Sequence, residues 1–190
     1  MRIIYDNLIT LLWVAFLVYW QIMAARAKTT ARLEPAGSRV LRVVLFAVAL
    51  VLYSWHTIPV AWLRIQLWPG SYALYNVGIA VTAAGIAFAV WARVHLGTNW
   101  SRSVTLKKDH ELITTGPYHL VRHPIYTGIL FGLMGATIAE GQVRSVIALA
   151  LIAWSLWRKL SLEEKWMREE FGETYAEYSR HTAALVPGIL

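Results

Sequence analysis

The chain has 190 residues, 57% of them apolar, with a mean hydropathy of +0.48 and a formal net charge of +7. Long unbroken apolar runs at this overall content exclude an ordinary soluble domain and point to a bilayer. The chain has no cysteine, which excludes disulfides, thiolate nucleophiles and cysteine metal sites. The positive charges sit at the ends of apolar runs, so they read as membrane topology rather than as a nucleic-acid footprint.

A spanning helix needs about 20 apolar residues. The sequence predicts five spans, at residues 3–23, 40–63, 73–93, 124–140 and 143–160. The first run is too long for a cleaved leader, carries Trp13 and Trp20, and has Asp6 where a basic start would stand. The last two runs are separated only by Gly141 and Gln142 and read as one tight helical hairpin. With the C-terminus in the cytoplasm, fifteen Lys and Arg residues fall on the cytoplasmic side and three (Arg2, Arg64 and Arg144) on the other. That bias predicts an outside N-terminus. Trp55, Trp62, Trp68 and Tyr72 suit an aromatic belt at the outer face. The expected fold is therefore an all-α polytopic membrane protein. It is a single domain, with three N-terminal spans in residues 1–94 and a half that carries the chemistry in residues 95–190.

The first three spans carry little chemistry. Gly85 and Ala89, and Gly128, Gly132 and Ala136 on the fourth span, permit close helix packing. His56 reads as a packed or interfacial histidine. Two other segments differ. Residues 95–123 form a polar connection that is long for a loop yet holds Trp100, Leu112, Ile113 and Tyr118. Residues 161–190 extend the fifth helix beyond the membrane, with Trp166, Met167 and Phe171 at helical spacing and Gly172 placed as a C-cap.

The run Arg122-His123-Pro124-Ile125-Tyr126 suits a helix start. Proline fits the first turn, and the residue before it is pushed out of helical conformation. A helix N-terminus also favours a carboxylate. Lys159 and Glu163 are four apart and share a helix face, with Arg158 and Glu164 beside them. Taken singly, each run has an ordinary use: a basic anchor, or a solvated ion pair. The hairpin brings them together. The start of the fourth helix lies beside the end of the fifth, so Arg122, His123 and Tyr126 are expected near Lys159, Glu163 and Glu164. His119 and His123 have the spacing of a zinc helix, but the glutamate after the first is missing and Pro124 interrupts the helix, which argues against a metal. No glycine-rich phosphate loop of a dinucleotide fold is present.

The string LITTGPYHLVRHPIYTG, followed by EEKWMREEFGETYAEY, resembles the paired signature of the isoprenylcysteine carboxyl methyltransferase family and its bacterial relatives, over roughly residues 95–188. The resemblance implies a membrane enzyme that uses S-adenosylmethionine. It implies cofactor contacts at His110, Glu111, Leu112, Ile113, Tyr118, His123, Pro124, Ile125, Tyr126 and Glu163. It also implies an acceptor contact four residues before that glutamate. The family has an arginine there, whereas this chain has Lys159 with Arg158 beside it, so a point charge stands in place of a planar fork.

The chemistry is compatible with these residues. Methyl transfer from a sulfonium mainly needs positioning and exclusion of water. A carboxylate acceptor needs only cations to orient it, Arg122 or Lys159, with Arg158 as a further contact. An amine acceptor would need a base, and Glu163 or Glu164 could serve. Tyr118, Tyr126 and Trp166 could surround the sulfonium. The favoured function is O-methylation of a carboxylate on a lipid-tailed acceptor that enters from the bilayer. The alternatives are phospholipid N-methylation, an NADPH-dependent enzyme like the sterol reductases, and a non-catalytic membrane scaffold.

Overall fold

The computed structural model describes residues 7–25, 34–97 and 112–188. Five helices carry the fold: α1 (Leu8–Ala25), α2 (Ala36–Ser54), α3 (Tyr72–Leu96), α4 (Pro124–Glu140) and α5 (Val143–His181). A 3₁₀ turn at Ala61–Arg64 and a one-turn helix at Pro117–Leu120 lie between them. An isolated β-bridge pairs Gln66 with Gln142. The expected all-α class is what the chain adopts.

Length and composition suit α2, α3 and α5 to crossing a membrane, while α1 and α4 are apolar but shorter. Large apolar side chains point outward, among them Val40, Val43 and Leu50 at 63–67% exposure. Such an outward face suits lipid rather than water, and the chain is an integral membrane protein.

The tightest packing joins α3 to α4. Gly78, Thr82, Gly85 and Ala89 on α3 face Gly128, Gly132 and Gly135 on α4, and all seven are buried. A Cβ on Gly85 would come within 2.3 Å of the Gly132 nitrogen, and one on Gly135 within 2.5 Å of the Thr82 nitrogen. The helices are therefore in backbone contact, the arrangement that small residues allow in membranes. Thr82 Oγ1 adds a hydrogen bond to the Gly132 carbonyl at 3.0 Å. The hairpin read from Gly141-Gln142 is present, but α4 and α5 diverge to different partners: α4 lies on α3, and α5 lies on α2 through Ala49, Leu52, Ala148, Ile152 and Leu156.

One expected boundary is corrected and another holds. The second span ends at Ser54 rather than at residue 63, because the chain turns at Trp55 ahead of Pro59, which cannot continue a helix. The released segment folds back over the α4–α5 turn. Leu67 N–H donates to the Gly141 carbonyl at 2.7 Å, and Trp68 Nε1 donates to the Ile138 carbonyl at 2.9 Å. Gly172 takes the cap conformation expected of it, at φ 52°, ψ −123°, and interrupts the helix there; a second helical stretch follows as far as His181.

The turn end of the bundle is closed by Arg144, which is 1% exposed. Its guanidinium donates to the carbonyls of Leu52 and Tyr53 and to Gln142 Oε1, contacts His56 Nδ1 at 2.8 Å, and pairs with Glu140 at 3.2 Å. Arg144 thus caps the last turn of α2, whose carbonyls have no helical partner. His56, exposed at this end, meets the lock through Nδ1.

Candidate active site

The opposite end of the bundle holds the charged residues. Pro124 opens α4 and is buried, and His123 stands just before it at φ −122°, ψ 60°. Arg122 and His123, the two residues ahead of the proline, both reach α5. Arg122 Nε donates to Glu164 Oε1 at 2.8 Å, with Nη2 at 2.7 Å from the same oxygen. His123 bridges both carboxylates, with Nε2 at 3.3 Å from Glu164 and Nδ1 at 3.5 Å from Glu163. Tyr126 donates its hydroxyl to Glu163 Oε1 at 2.6 Å. The rings of His123 and Tyr126 stack at 5.5 Å with 3° between their planes. Lys159 reaches the same carboxylate at 3.6 Å and lies over the Tyr126 ring at 5.1 Å. The two sequence segments that carry the charged residues therefore meet, as the hairpin reading expects.

The electrostatics follow from these contacts. Burial alone would raise the Glu163 carboxyl, but the Lys159 ammonium and the bonds from His123 and Tyr126 outweigh it and hold the group down at about 2. Burial likewise acts upward on Glu164, where His123 and Arg122 reverse it, again to about 2. Burial works to lower His123, but bonds to the two glutamates override it and hold the imidazole above its ordinary value. Both ring nitrogens face carboxylates, which suits the charged imidazolium, a donor at each nitrogen.

The tail contributes more than a helical extension. Beyond His181 it runs back across the mouth of α4. Arg122 N–H donates to the Ala183 carbonyl at 2.8 Å, His123 N–H to Ala184 at 3.0 Å, and Thr127 Oγ1 to Leu185 at 2.7 Å. Arg122 Nη1 also donates to the carbonyls of Ser179 and Thr182. Tyr178 donates its hydroxyl to the Tyr118 carbonyl at 2.5 Å. Sequence reasoning missed this strap. Its one signal is the apolar run 183–187 at the end of a charged tail.

Of the other expected site residues, Tyr118 and Ile125 are buried together with Ala24 and Ala92, and Ile113 packs on that group. Leu112 is partly buried. Trp166 is buried on α5. His110 and Glu111 lie outside the described residues. Arg158 is not brought to the cluster. It is exposed and covers the Trp154 ring at 5.4 Å, because adjacent helical residues point about 100° apart. Lys159 alone of that pair faces inward. His95 is an addition from the structure. Its Nε2 lies 2.9 Å from Thr115 Oγ1 and its ring stacks on Tyr118 at 6.4 Å. Gly116, at φ 60°, passes so close that a Cβ would sit 2.7 Å from the His95 ring. The segment before α4 is thereby pinned to the end of α3.

The chain matches the phospholipid methyltransferase family over residues 73–174. Among curated proteins it is similar to protein-S-isoprenylcysteine O-methyltransferase B of Arabidopsis thaliana, at 27% identity over 59% of this chain and 58% of that protein. It is 32% identical to a probable protein-S-isoprenylcysteine O-methyltransferase of Oryza sativa subsp. japonica, over 58% of this chain and 53% of that one. The chain thus spans just over half the length of these relatives. The fold is similar to that of the eukaryotic intramembrane Ras methyltransferase ICMT, with a TM-score of 0.56 at 24% identity over 83% of this chain and 55% of that one. The resemblance read from the RHP-x-Y and EE…FG-x-x-Y elements is borne out by these relatives, and the family match, from the start of α3 through the α4 mouth to the kink in α5, covers more than half of the chain. This protein belongs to the phospholipid methyltransferase family.

Proposed function

We propose that the protein is a membrane methyltransferase that uses S-adenosylmethionine and methylates a carboxylate on a lipid-tailed acceptor, with residues 95–190 as its catalytic half. One observation carries the reading: an ionised, partly buried Glu163 sits between a tyrosine hydroxyl, an imidazolium and a lysine at the mouth of α4. The names of the curated relatives support the acceptor class.

The residues fit the cofactor. When bound, S-adenosylmethionine supplies a methyl group on a positively charged sulfur, which leaves as a neutral thioether. Glu163 and the faces of Tyr126 and Tyr118 suit that charge, and the free N–H groups of the first turn of α4 suit a carboxylate. Arg122 and Glu164 act as positioning residues: they fix His123 and the tail strap, and His123 in turn orients Glu163 and Tyr126. Lys159 is left to orient the acceptor. A carboxylate arrives without a proton to lose, so no side chain has to act as a base, and catalysis rests on alignment and exclusion of water.

The charged end faces the cytoplasm in this reading. Arg39, Arg42, Arg93, Arg122, Arg158, Lys159, Lys165, Arg168 and Arg180 lie toward that end, and Arg64 and Arg144 toward the other. The acceptor enters sideways from the bilayer, where its tail concentrates it at about 0.8 kcal/mol per buried CH₂. The family match favours a second reading, N-methylation of a phospholipid amine. Transfer of labelled methyl from S-adenosylmethionine to a farnesylated N-acetylcysteine, against transfer to phosphatidylethanolamine, separates the two. Label in the prenylcysteine ester is the expected result; label only in the phospholipid replaces the first reading with the second.

A further inference from the structure

A stripe of α5 faces the interior: Ala148, Ile152, Ser155, Lys159 and Glu163 recur at three- and four-residue steps. On α2, Arg42 lies seven residues before Ala49 and so falls on nearly the same face, the one that packs on Ala148 and Ile152. The two helices run in opposite directions. Seven residues are about 10 Å at 1.5 Å per residue, and the same distance along α5 from Ala148–Ile152 reaches Ser155–Lys159. Arg42 therefore stands opposite Ser155 and Lys159. Tyr126 also packs on the α2–α5 cluster.

Two features of this place are unusual. Among the described residues, Arg42 is held through Nη1 alone, by the buried Glu34 at 2.5 Å, and the rest of its fork is uncommitted. Ser155 is 4% exposed, and its hydroxyl has no hydrogen-bond partner among the described residues. Serines in helices commonly bond back to the carbonyl four residues earlier, as Ser161 does to Trp157 at 2.9 Å. Ser155 does not. A buried unpaired hydroxyl one turn deeper than a lysine, opposite a half-used guanidinium, has the composition of an anion-binding site.

We infer that Arg42, Ser155 and Lys159 together bind the anionic head of the acceptor, with Arg42 supplying from α2 the planar fork that selects a carboxylate over a neutral or cationic head. This rests on the methyltransferase reading and names a specificity site within it. Lys159 offers a point charge, whereas the guanidinium adds bidentate geometry. Glu34 keeps the fork oriented while no acceptor is present.

The test is the affinity of detergent-purified protein for S-farnesyl-N-acetylcysteine and for its uncharged amide, read by thermophoresis, beside calorimetric affinity for S-adenosylmethionine. The wild type should bind the carboxylate at least tenfold more tightly than the amide. Arg42→Gln should reduce that preference to less than threefold, Arg42→Lys should restore part of it, and Ser155→Ala should weaken the carboxylate three- to tenfold. In all three, affinity for the amide and for S-adenosylmethionine should stay within twofold. Arg42→Gln strands the buried Glu34, so Glu34→Gln/Arg42→Gln serves where the single variant does not fold. An unchanged carboxylate preference in the Arg42 variants overturns the inference, as does equal loss of amide and carboxylate binding. Failure of the wild type to bind S-adenosylmethionine overturns the methyltransferase reading instead, while the carboxylate-to-amide ratio still reports on the anion site.

Discussion

Each end of the bundle buries an arginine against α5, and the two are used differently. At the turn end, Arg144 spends its guanidinium on two α2 carbonyls, Gln142, His56 and Glu140. One cation there satisfies a set of acceptors that would otherwise be stranded. At the α4 mouth, two carboxylates are shared among Arg122, His123, Lys159 and Arg168. Cations outnumber anions, and one of them, Lys159, holds its carboxylate only loosely. The first arrangement is a lock. The second has positive charge in reserve and a stacked aromatic face beside it, which is what a site for charged reactants requires.

Neutralising the two arginines should separate these roles. Arg144→Leu leaves the α2 carbonyls and Glu140 buried without their partner and should cost about 3–5 kcal/mol of stability. The molecules that remain folded should bind S-adenosylmethionine with unchanged affinity. Arg122→Leu should cost about 3 kcal/mol, since Arg168 still holds Glu164, and should also weaken S-adenosylmethionine at least tenfold. Thermal unfolding in detergent, paired with calorimetry, reads both effects. Equal loss of affinity in the two variants would erase the distinction between lock and site.

The pH dependence sharpens the contrast. Glu163 and Glu164 are held at about 2, below their ordinary 4.5. Their contribution to stability is complete above about 4.5 and is lost as the pH falls toward 2. His123 is held above its ordinary 6.5. Its contribution is complete below about 6.5 and is lost as the pH rises through the raised value. The cluster should therefore stabilise the fold most between about pH 4.5 and 6.5. Melting temperatures of the wild type and of His123→Gln across pH 3–9 test this, and the variant should lack the decline on the alkaline side.

The smallest effect is expected at Arg158, which lies outside both clusters over Trp154. Arg158→Ala should change stability by less than about 0.5 kcal/mol and leave cofactor affinity alone.

The sequence carried the α4 mouth well. A proline helix start, a two-residue turn and an i, i+4 pair were enough to bring Arg122, His123 and Tyr126 to Lys159, Glu163 and Glu164, because each clue is local and the hairpin supplies the one long-range step. What it did not carry was set by contacts between distant segments. The Arg144 lock joins residues about ninety positions apart. The strap at residues 182–185 and the placement of Arg42 opposite Lys159 depend on how α5 and α2 are turned about their axes. The small residues on α3 and α4 announced close packing, but not that they pack on each other. Arg158 and Lys159 are neighbours in sequence, and only the helix phase sends one outward and the other inward.

The central claim is that the α4 mouth is a methyl-donor site, and calorimetry of purified protein with S-adenosylmethionine and with NADPH tests it most directly. The wild type should bind S-adenosylmethionine with one site per chain and show no heat with NADPH. Glu163→Gln, which keeps the shape of the side chain and removes its charge, should weaken binding at least tenfold. Binding of NADPH, or S-adenosylmethionine affinity unmoved by Glu163→Gln, would contradict the account.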